Sequence, residues 1–112
     1  MDNCIFCKIV KKEIPSEMVY ENEKVAVFKD INPLAPIHLL LIPKVHIESI
    51  DDLKSKDKDL IGEIILTAKK IAKEKGLAES GYRLVFNVGK NAGQTVEHLH
   101  LHLIGGKNLP WH

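Results

Sequence analysis

The feature that most constrains the fold is the stretch His98–Ile104, which reads His-Leu-His-Leu-His-Leu-Ile. In a β-strand, successive side chains point to opposite faces, so all three imidazoles would line one face and the leucines the other. In a helix, His98 and His102 would share a face and His100 would lie opposite. The alternation predicts a strand, whose polar face is either a site built from imidazoles or an ordinary solvated surface. We favour the site, because Thr or Lys would serve a solvated face as well.

A row of three histidines on one strand is too long for a single metal ion. A strand rises about 3.3 Å per residue, which separates the Cα atoms of His98 and His102 by roughly 13 Å. Zinc–nitrogen bonds are only about 2.1 Å long. We therefore expect the three rings to have different roles.

Length and charge narrow the class of protein. The 112 residues predict one domain over residues 1–112, and the net charge of +1 gives no electrostatic footprint for nucleic acid. The longest apolar run, Leu39–Ile42, is far too short to span a bilayer. The N-terminal residues do not have the pattern of a signal peptide. We expect a cytoplasmic protein with neither a nucleic acid nor a membrane as its partner.

The two cysteines, Cys4 and Cys7, form a C-x-x-C pair. In a secreted protein such a pair could be a disulfide, but a reducing compartment is expected here. A thioredoxin-like redox pair would follow a buried strand, and nothing typical of a strand precedes Cys4. We interpret the pair as half of a metal site, which needs two further ligands.

Hydrophobic periodicity and turn residues divide the rest of the chain into short elements. The long helix has a broad apolar stripe, Ser55 or Asp57 as its N-cap and Gly76 after its end, and we interpret it as scaffold packed on a sheet rather than as a partner-binding face. Short connections between consecutive strands favour an α+β domain with a mainly antiparallel sheet. The predicted elements are a helix at Cys4–Lys11, strands at Val19–Glu21, Lys24–Lys29 and His38–Pro43, a helical turn at Ser49–Leu53, the long helix at Asp57–Lys75 and a strand at Arg83–Val88.

Two loops and the C-terminal tail carry candidate functional groups. Asp30 stands at a strand end before a loop with two prolines, where it could accept hydrogen bonds from ligand hydroxyls or serve only as a connection. The loop Gly89–Thr95 contains glycines that let backbone N–H groups approach an anion. Trp111 has no local core to enter, so we expect it to pack on a neighbouring subunit.

The histidine stretch resembles the histidine triad signature, His-φ-His-φ-His-φ-φ, of the HIT superfamily. The resemblance extends over nearly the whole chain and is strongest for the Hint branch. It implies a HIT-like fold, with a five-stranded sheet, one long helix and one short helix. It also implies a homodimer formed through the long helix and a sheet edge, for which Leu84, Val85 and Phe86 are suited. The matching segments besides the histidines are Asp30–Pro33, the His38 strand ending in Ile42-Pro43-Lys44, Asn87, Gly93–Thr95 and the tail with Trp111.

The resemblance implies an enzyme that acts on phosphate esters, anhydrides or phosphoramidates of nucleoside 5′-monophosphates. In the family the central histidine, here His100, attacks the α-phosphorus and forms a covalent nucleotidyl-histidine. His102 and His38 would bind phosphate or manage the leaving-group proton. Hydrolysis of purine nucleoside phosphoramidates is the leading hypothesis. The alternatives are a dinucleoside polyphosphate hydrolase, a non-catalytic nucleotide-binding scaffold and, less in keeping with the charge, a zinc-dependent nucleic-acid module.

The resemblance also implies where a nucleotide binds. Thr95 stands where the Hint branch usually has serine, so a hydroxyl is retained. The implied contacts are apolar residues around the base (Phe6, Ile9, Phe28 and Ile31), Asp30 on the ribose hydroxyls, Asn87 near ribose and phosphate, and Gly93, Gln94 and Thr95 near the phosphate or leaving-group oxygens.

The cysteines distinguish this chain from the commonest animal members of the branch. They resemble those of zinc-containing prokaryotic members and of the related uridylyltransferases, in which two histidines complete the site. Here these would be His46 and His98. A Cys₂His₂ set closes a tetrahedron, so the implied Zn²⁺ is structural. The resemblance thus assigns His98 to zinc, His100 to phosphorus and His102 to a supporting role.

Overall fold

The computed structural model describes residues 3–111 and contains one five-stranded sheet. The strand order is β1-β2-β3-β5-β4, and each neighbouring pair is antiparallel. The prediction of an α+β fold with a mainly antiparallel sheet, one short helix and one long helix is confirmed. The elements are α1 (Ile5–Val10), β1 (Met18–Glu21), β2 (Val25–Lys29), β3 (Ile37–Pro43), α2 (Lys58–Glu74), β4 (Tyr82–Phe86) and β5 (Leu101–Gly105).

The apolar strand β3 lies at the centre of the sheet and contributes to both faces. Leu39 and Leu41 join the core beneath α2, while Leu40 and Ile42 join a second apolar cluster with Phe6 of α1. Alternation along a strand explains this division. Because both faces of β3 are covered, nearly the whole strand is apolar and buried, as a central strand requires.

The long helix α2 packs its apolar stripe against one face of the sheet, as expected for scaffold. The buried positions on this stripe include Ile64, Ala68 and Ile71. Gly76 follows the helix with a φ of +77°, the left-handed conformation that glycine adopts without strain. Asp57 is the N-cap residue, but its carboxylate accepts the backbone N–H of Lys54, at 2.9 Å, instead of a helix N–H. A short 3₁₀ turn therefore precedes the helix.

The prediction of a strand over the whole histidine stretch is wrong at its N-terminal end. The strand β5 begins at Leu101, and His98 and His100 precede it. The backbone N–H of Leu99 donates to the carbonyl of Ile47, at 2.7 Å, in the loop beyond β3. The β3–β5 ladder ends at the pair Leu41 and Leu101. Before this pair, the histidine segment bonds to the loop after β3 instead of to β3 itself. The alternation of side chains continues past the last ladder pair, which is why the sequence pattern did not reveal the end of the strand.

Other predicted boundaries shift by one or two residues. The strand β4 ends at Phe86, so Asn87 and Val88 lie in the following loop. Within the described residues, β4 is an edge strand of the sheet. No helix between residues 3 and 111 has the length and apolarity to cross a membrane.

Glu21 of β1 forms ion pairs with two lysines, one that follows α1 and one that follows β3. Its carboxylate pairs with Lys12 and, at 2.7 Å, with Lys44. Hydrogen bonds from Lys12 and Lys44 are the main reason why the pKa of Glu21 falls to about 2. A lowered pKa in the folded state stabilises the fold above the ordinary carboxyl pKa of 4.5, and this contribution is lost as the pH falls toward about 2.

We expect Glu21→Gln to lower the Tm at neutral pH by only about 1–4 °C, because exposed ion pairs contribute little in water. The difference from wild type should shrink in high salt and disappear near pH 2. Thermal melts monitored by circular dichroism at several pH values would measure it. A difference that stays constant from neutral pH to about pH 2 would mean that the charge of Glu21 is not the cause.

Candidate active site and metal-binding cluster

Two cysteines and two histidines from distant parts of the chain converge at one end of the sheet. The Sγ atom of Cys4 lies 3.3 Å from Nδ1 of His98, and the Sγ atom of Cys7 lies 3.3 Å from Nδ1 of His46. The four ligand atoms all lie within 4.8 Å of one another. The structure therefore brings together the four residues that were predicted as metal ligands, and we call them the Cys₂His₂ cluster.

Local structure orients the ligands of this cluster. Cys4 is the N-cap of α1, and its sulfur accepts the backbone N–H of Cys7 at 3.3 Å. The Nε2 atom of His98 lies 2.8 Å from the carbonyl oxygen of Pro43. A carbonyl can only accept, so Nε2 carries the proton and Nδ1 presents its lone pair toward the sulfurs.

The chemistry of the four donors fits Zn²⁺. Burial, followed by the neighbouring Cys4, raises the pKa of the Cys7 thiol, and burial lowers the pKa of His98. Both shifts favour the uncharged forms in a site without a cation. A bound divalent cation would instead favour thiolates, and two thiolates with two neutral imidazoles are a common structural zinc set.

The middle histidine of the triad has one ring nitrogen committed to the backbone. The Nδ1 atom of His100 lies 2.7 Å from the carbonyl oxygen of His98. This contact places the proton on Nδ1 and leaves the lone pair on Nε2. The ring of His100 is therefore held in the tautomer that a nitrogen nucleophile needs.

His38 of β3 and His102 of β5 form a hydrogen-bonded pair beside His100. The backbone N–H of Leu34 donates to Nδ1 of His38 at 3.0 Å, so the proton of neutral His38 is on Nε2. That Nε2 lies 2.9 Å from Nδ1 of His102. His102 therefore accepts at Nδ1 and carries its own proton on Nε2, with its ring centroid 5.0 Å from that of His100.

Both rings of this pair are neutral at physiological pH. Burial is the main reason why the pKa of His102 falls to about 4, and the nearby rings of His100 and His38 lower it further. Burial also lowers the pKa of His38, although the carboxylate of Asp30 acts in the opposite direction. The site therefore presents the N–H donor of His102 beside the Nε2 atom of His100, which the bond to the carbonyl of His98 leaves uncommitted.

The Nε2 atoms of His100 and His102 take part in none of the hydrogen bonds formed among residues 3–111. His100 as a whole is buried, and His102 is half-buried. Because the two histidines are two positions apart in extended backbone, their rings lie on the same side of the sheet.

Asp30, His38 and His102 also lie close enough together to suggest a metal site. However, the N–H of Leu34 occupies the Nδ1 lone pair of His38, so a metal at Nε2 would require a fully deprotonated ring. The donor set fits a hydrogen-bond relay better than a metal site. Asp30 contributes to this relay, because its carboxylate lies 3.3 Å from Nε2 of His38 and accepts the N–H of Asn32 at 2.8 Å.

The residues predicted to surround a base have different degrees of exposure. Phe6, Ile9 and Phe28 are buried together in the second apolar cluster. Ile31 is 88% exposed on the loop after β2. Ile31 is thus an exposed apolar side chain and the other three are core residues, and the contact of all four with a base stays a prediction.

The glycine-containing loop is held by the side chain of Gln94. Its Oε1 accepts the N–H of Gly89 at 2.9 Å, and its Nε2 donates to the carbonyls of Glu48 at 2.7 Å and Val96 at 3.1 Å. These bonds occupy the polar atoms that were predicted to hold phosphate oxygens. In this conformation Gln94 shapes the loop, and direct phosphate contact by Gln94 stays a prediction.

The remaining predicted nucleotide contacts lie on loops. Thr95 is exposed, Asn87 is half-buried directly after β4, and Gly93 has a φ of +90°. Their predicted contacts with ribose and phosphate stay predictions. Sequence reasoning missed two backbone groups of the site, the N–H of Leu34 and the carbonyl of Pro43. No side-chain pattern marks such groups, because every residue except proline carries both.

Comparisons with known proteins show which family this chain resembles. A family model described as "Scavenger mRNA decapping enzyme C-term binding" matches residues 3–110. The chain is 51% identical over 105 residues to Protein HitA of Neisseria gonorrhoeae, covering 94% of this chain and 97% of that protein. It is 44% identical over 108 residues to the purine nucleoside phosphoramidase of Escherichia coli (strain K12), covering 96% and 91%.

A plant relative and a solved structure extend these matches. The chain is 48% identical over 109 residues to the 14 kDa zinc-binding protein of Zea mays, covering 96% of this chain and 84% of that protein. The crystal structure of a HIT family hydrolase from Legionella pneumophila Philadelphia 1 matches with a TM-score of 0.96 and 51% identity, covering 97% of each chain. This chain therefore belongs to the histidine triad (HIT) family and is a hydrolase.

Proposed function

We propose that the protein hydrolyses purine nucleoside 5′-phosphoramidates through a covalent nucleotidyl intermediate on His100. The single observation that carries this proposal is the 2.7 Å contact between Nδ1 of His100 and the carbonyl of His98, which leaves Nε2 as a nucleophile. The similarity to a protein named purine nucleoside phosphoramidase supports the substrate class.

In the first step, Nε2 of His100 attacks the α-phosphorus as the phosphorus–nitrogen bond breaks. The departing nitrogen leaves as ammonia with a proton that it already carries in the bound, N-protonated substrate. Nε2–H of His102, the donor that the pair with His38 leaves free, donates a hydrogen bond to the phosphoryl oxygens. The new nitrogen–phosphorus bond gives the ring of His100 a positive charge. The carbonyl of His98, which accepts from Nδ1–H, stabilises this charge.

In the second step, water attacks the phosphorus of the nucleotidyl-histidine. The bond between phosphorus and Nε2 of His100 breaks, and the proton of the water passes to solvent while Nε2–H of His102 keeps its hydrogen bond to the phosphoryl oxygens. The products are a nucleoside 5′-monophosphate and the enzyme in its starting protonation state. The same two rings thus serve both half-reactions.

The geometry of Asp30 supports its role as the ribose ligand. Its carboxylate is fixed by the N–H of Asn32 and lies beside His38, so it is preorganised at the edge of the site. Ribose hydroxyls would donate to its remaining lone pairs. The exposed Ile31 on the same loop would then cover one face of the base.

The Cys₂His₂ cluster supplies no group to either step. We infer that it holds Zn²⁺, and a Zn²⁺ ion with four protein ligands supplies structural stabilisation only. The similarity to a protein named 14 kDa zinc-binding protein supports this metal. Cys4, Cys7, His46 and His98 would hold the ion and thereby tie α1 to the segment that precedes β5.

The substrate class can be tested with the purified protein. Adenosine 5′-phosphoramidate should be converted to AMP, and single-turnover samples quenched in alkali should contain protein with one added adenylyl group. Diadenosine polyphosphates serve as the comparison substrates. A higher kcat/KM for the polyphosphates would replace the proposed substrate class, and binding of AMP without turnover of either class would leave a non-catalytic nucleotide-binding protein.

We expect His38→Ala to lower kcat by about 10²–10³-fold, the usual cost of losing one preorganised donor to the reacting oxygens. Without the N–H of His38, the ring of His102 loses the donor that fixes its tautomer, so its proton is no longer held at Nε2. Steady-state kinetics with adenosine 5′-phosphoramidate would measure the change. A wild-type kcat in a folded variant would show that His102 does not depend on His38.

We also propose that the protein is a cytoplasmic homodimer. The exposed edge of β4 can pair with the same edge of a second copy and so extend the sheet across two subunits, which removes an aggregation-prone edge. Trp111, which is 86% exposed, would then pack on the partner. Free Cys4 and Cys7 are consistent with a reducing compartment. Sedimentation equilibrium that gives the mass of a monomer would contradict the dimer.

A further inference from the structure

The nucleophile lies outside the hydrogen-bond ladder of the sheet. The strand β5 begins at Leu101, so the backbone of His100 is not fixed by strand pairing. Two hydrogen bonds hold the segment before it, one from Leu99 to the carbonyl of Ile47 and one from the ring of His98 to Pro43. The orientation of the ring of His100 therefore depends on the bond from its Nδ1 to the carbonyl of His98 and on its side-chain neighbours.

The ring of Phe6 contacts both histidines at this point. Its centroid lies 5.2 Å from that of His100 at an interplanar angle of 86°, and 5.9 Å from that of His98 at 70°. Phe28 packs against Phe6 with the centroids 5.4 Å apart. Edge-to-face contacts of this kind favour one mutual orientation of the rings. The buried Phe6 thus limits the rotation of the ring that carries the nucleophilic nitrogen.

The position of Phe6 depends in turn on the Cys₂His₂ cluster. Phe6 lies in the first turn of α1, between the two cysteines. Cys4 and Cys7 place their sulfurs 3.3 Å and 3.6 Å from Nδ1 of His98. This short helix has only six residues, so its own hydrogen bonds give it little stability, and contacts at both sides of Phe6 fix its place.

We propose that Phe6 is a positioning residue for His100, and that the Cys₂His₂ cluster acts on the nucleophile by holding Phe6 against its ring. This inference rests on the proposed function in one respect, namely that His100 is the nucleophile. A role of Phe6 in binding the base, which the family resemblance implies, predicts a different result. Loss of a base contact raises KM, whereas loss of nucleophile alignment lowers kcat.

The first test compares Phe6→Leu with the control Ile42→Val. Leucine retains most of the apolar volume but lacks the ring that contacts His100. We expect kcat to fall about tenfold to a hundredfold, because small displacements of a reacting group slow chemistry to this extent, while KM stays nearly constant. Ile42 lies in the same apolar cluster and contributes to packing only, so Ile42→Val should lower Tm and keep kcat. Phe6→Tyr, which retains the ring, should recover much of the rate.

The second test observes the ring of His100 without turnover. In ¹⁵N-labelled, zinc-loaded wild type, the proton on Nδ1 should give a sharp NMR resonance, because it is bonded to the carbonyl of His98. We expect this resonance to broaden in Phe6→Leu and in wild type stripped of zinc by a chelator, but not in Ile42→Val. Zinc removal from Phe6→Leu should broaden the resonance little further, because both changes act through the contact between Phe6 and the ring of His100.

The outcomes separate this inference from the proposed function. If no phosphoramidate is hydrolysed but the His100 resonance still responds to Phe6→Leu and to zinc removal, the proposed reaction is wrong and the positioning role stands. If phosphoramidates are hydrolysed but Phe6→Leu raises only KM, or changes nothing that Ile42→Val does not change, the positioning role is wrong. A sharp resonance in the zinc-free wild type would remove the link to the cluster.

Discussion

Replacing His100 with asparagine should abolish turnover of adenosine 5′-phosphoramidate, with a loss in kcat of about 10⁴-fold or more, as found when a covalent nucleophile is removed. The asparagine amide offers an N–H close to the position of Nδ1, so a hydrogen bond to the carbonyl of His98 can be retained. It offers no nitrogen lone pair in place of Nε2. The variant thus removes the nucleophile and preserves the donor that anchors the segment before β5.

The measurement is the initial rate of AMP release, followed by chromatography, together with the protein mass after alkaline quenching. The wild type should show an adenylyl adduct in a single turnover, and His100→Asn should show none. A Tm close to that of the wild type would demonstrate that the variant is folded. A wild-type rate, or an adduct on another residue, would contradict the assignment of His100 as the nucleophile.

The sequence predicted the sheet and its histidine face because the relevant signal is local. His102 of β5 pairs with Leu40 of β3. The alternation of leucines and histidines that places it there continues back to His98. The end of the strand could not be predicted in this way. It depends on the bond from Leu99 to Ile47, two residues that lie far apart in the sequence. Periodicity within one segment carries no information about such a contact.

The sequence indicated which residues form the site. It did not indicate which nitrogen of each histidine ring carries the proton. C-x-x-C indicates half a metal site, and only the family resemblance implied His46 and His98 as the other half. The proton positions of His98 and His38 follow from two backbone groups, the carbonyl of Pro43 and the N–H of Leu34. These groups are set by the tertiary fold. Gln94 illustrates the same limit, because its polarity in the sequence does not reveal that its bonds go to backbone groups.

The second large effect is expected at the Cys₂His₂ cluster. We expect Cys7→Ser to abolish high-affinity zinc binding and to lower the Tm by about 15 °C when zinc is present in excess. An ion bound only to the folded state stabilises it by about 4 kcal/mol at a free concentration a thousandfold above Kd. In a domain of about this size, each kcal/mol corresponds to roughly 4 °C. Serine is a poor zinc ligand but nearly isosteric with cysteine, so packing around α1 should change little.

Zinc content by atomic emission and thermal melts with and without a chelator would measure this effect. The chelator should lower the Tm of the wild type to that of Cys7→Ser and leave the variant unchanged, because the variant has no bound ion to lose. The variant also controls for side effects of the chelator on the rest of the fold. If the wild type contains no zinc as isolated, fails to gain stability when zinc is added, and melts like Cys7→Ser, the cluster is a set of free thiols and imidazoles. The link from the cluster through Phe6 to His100 would then have no ion to support it.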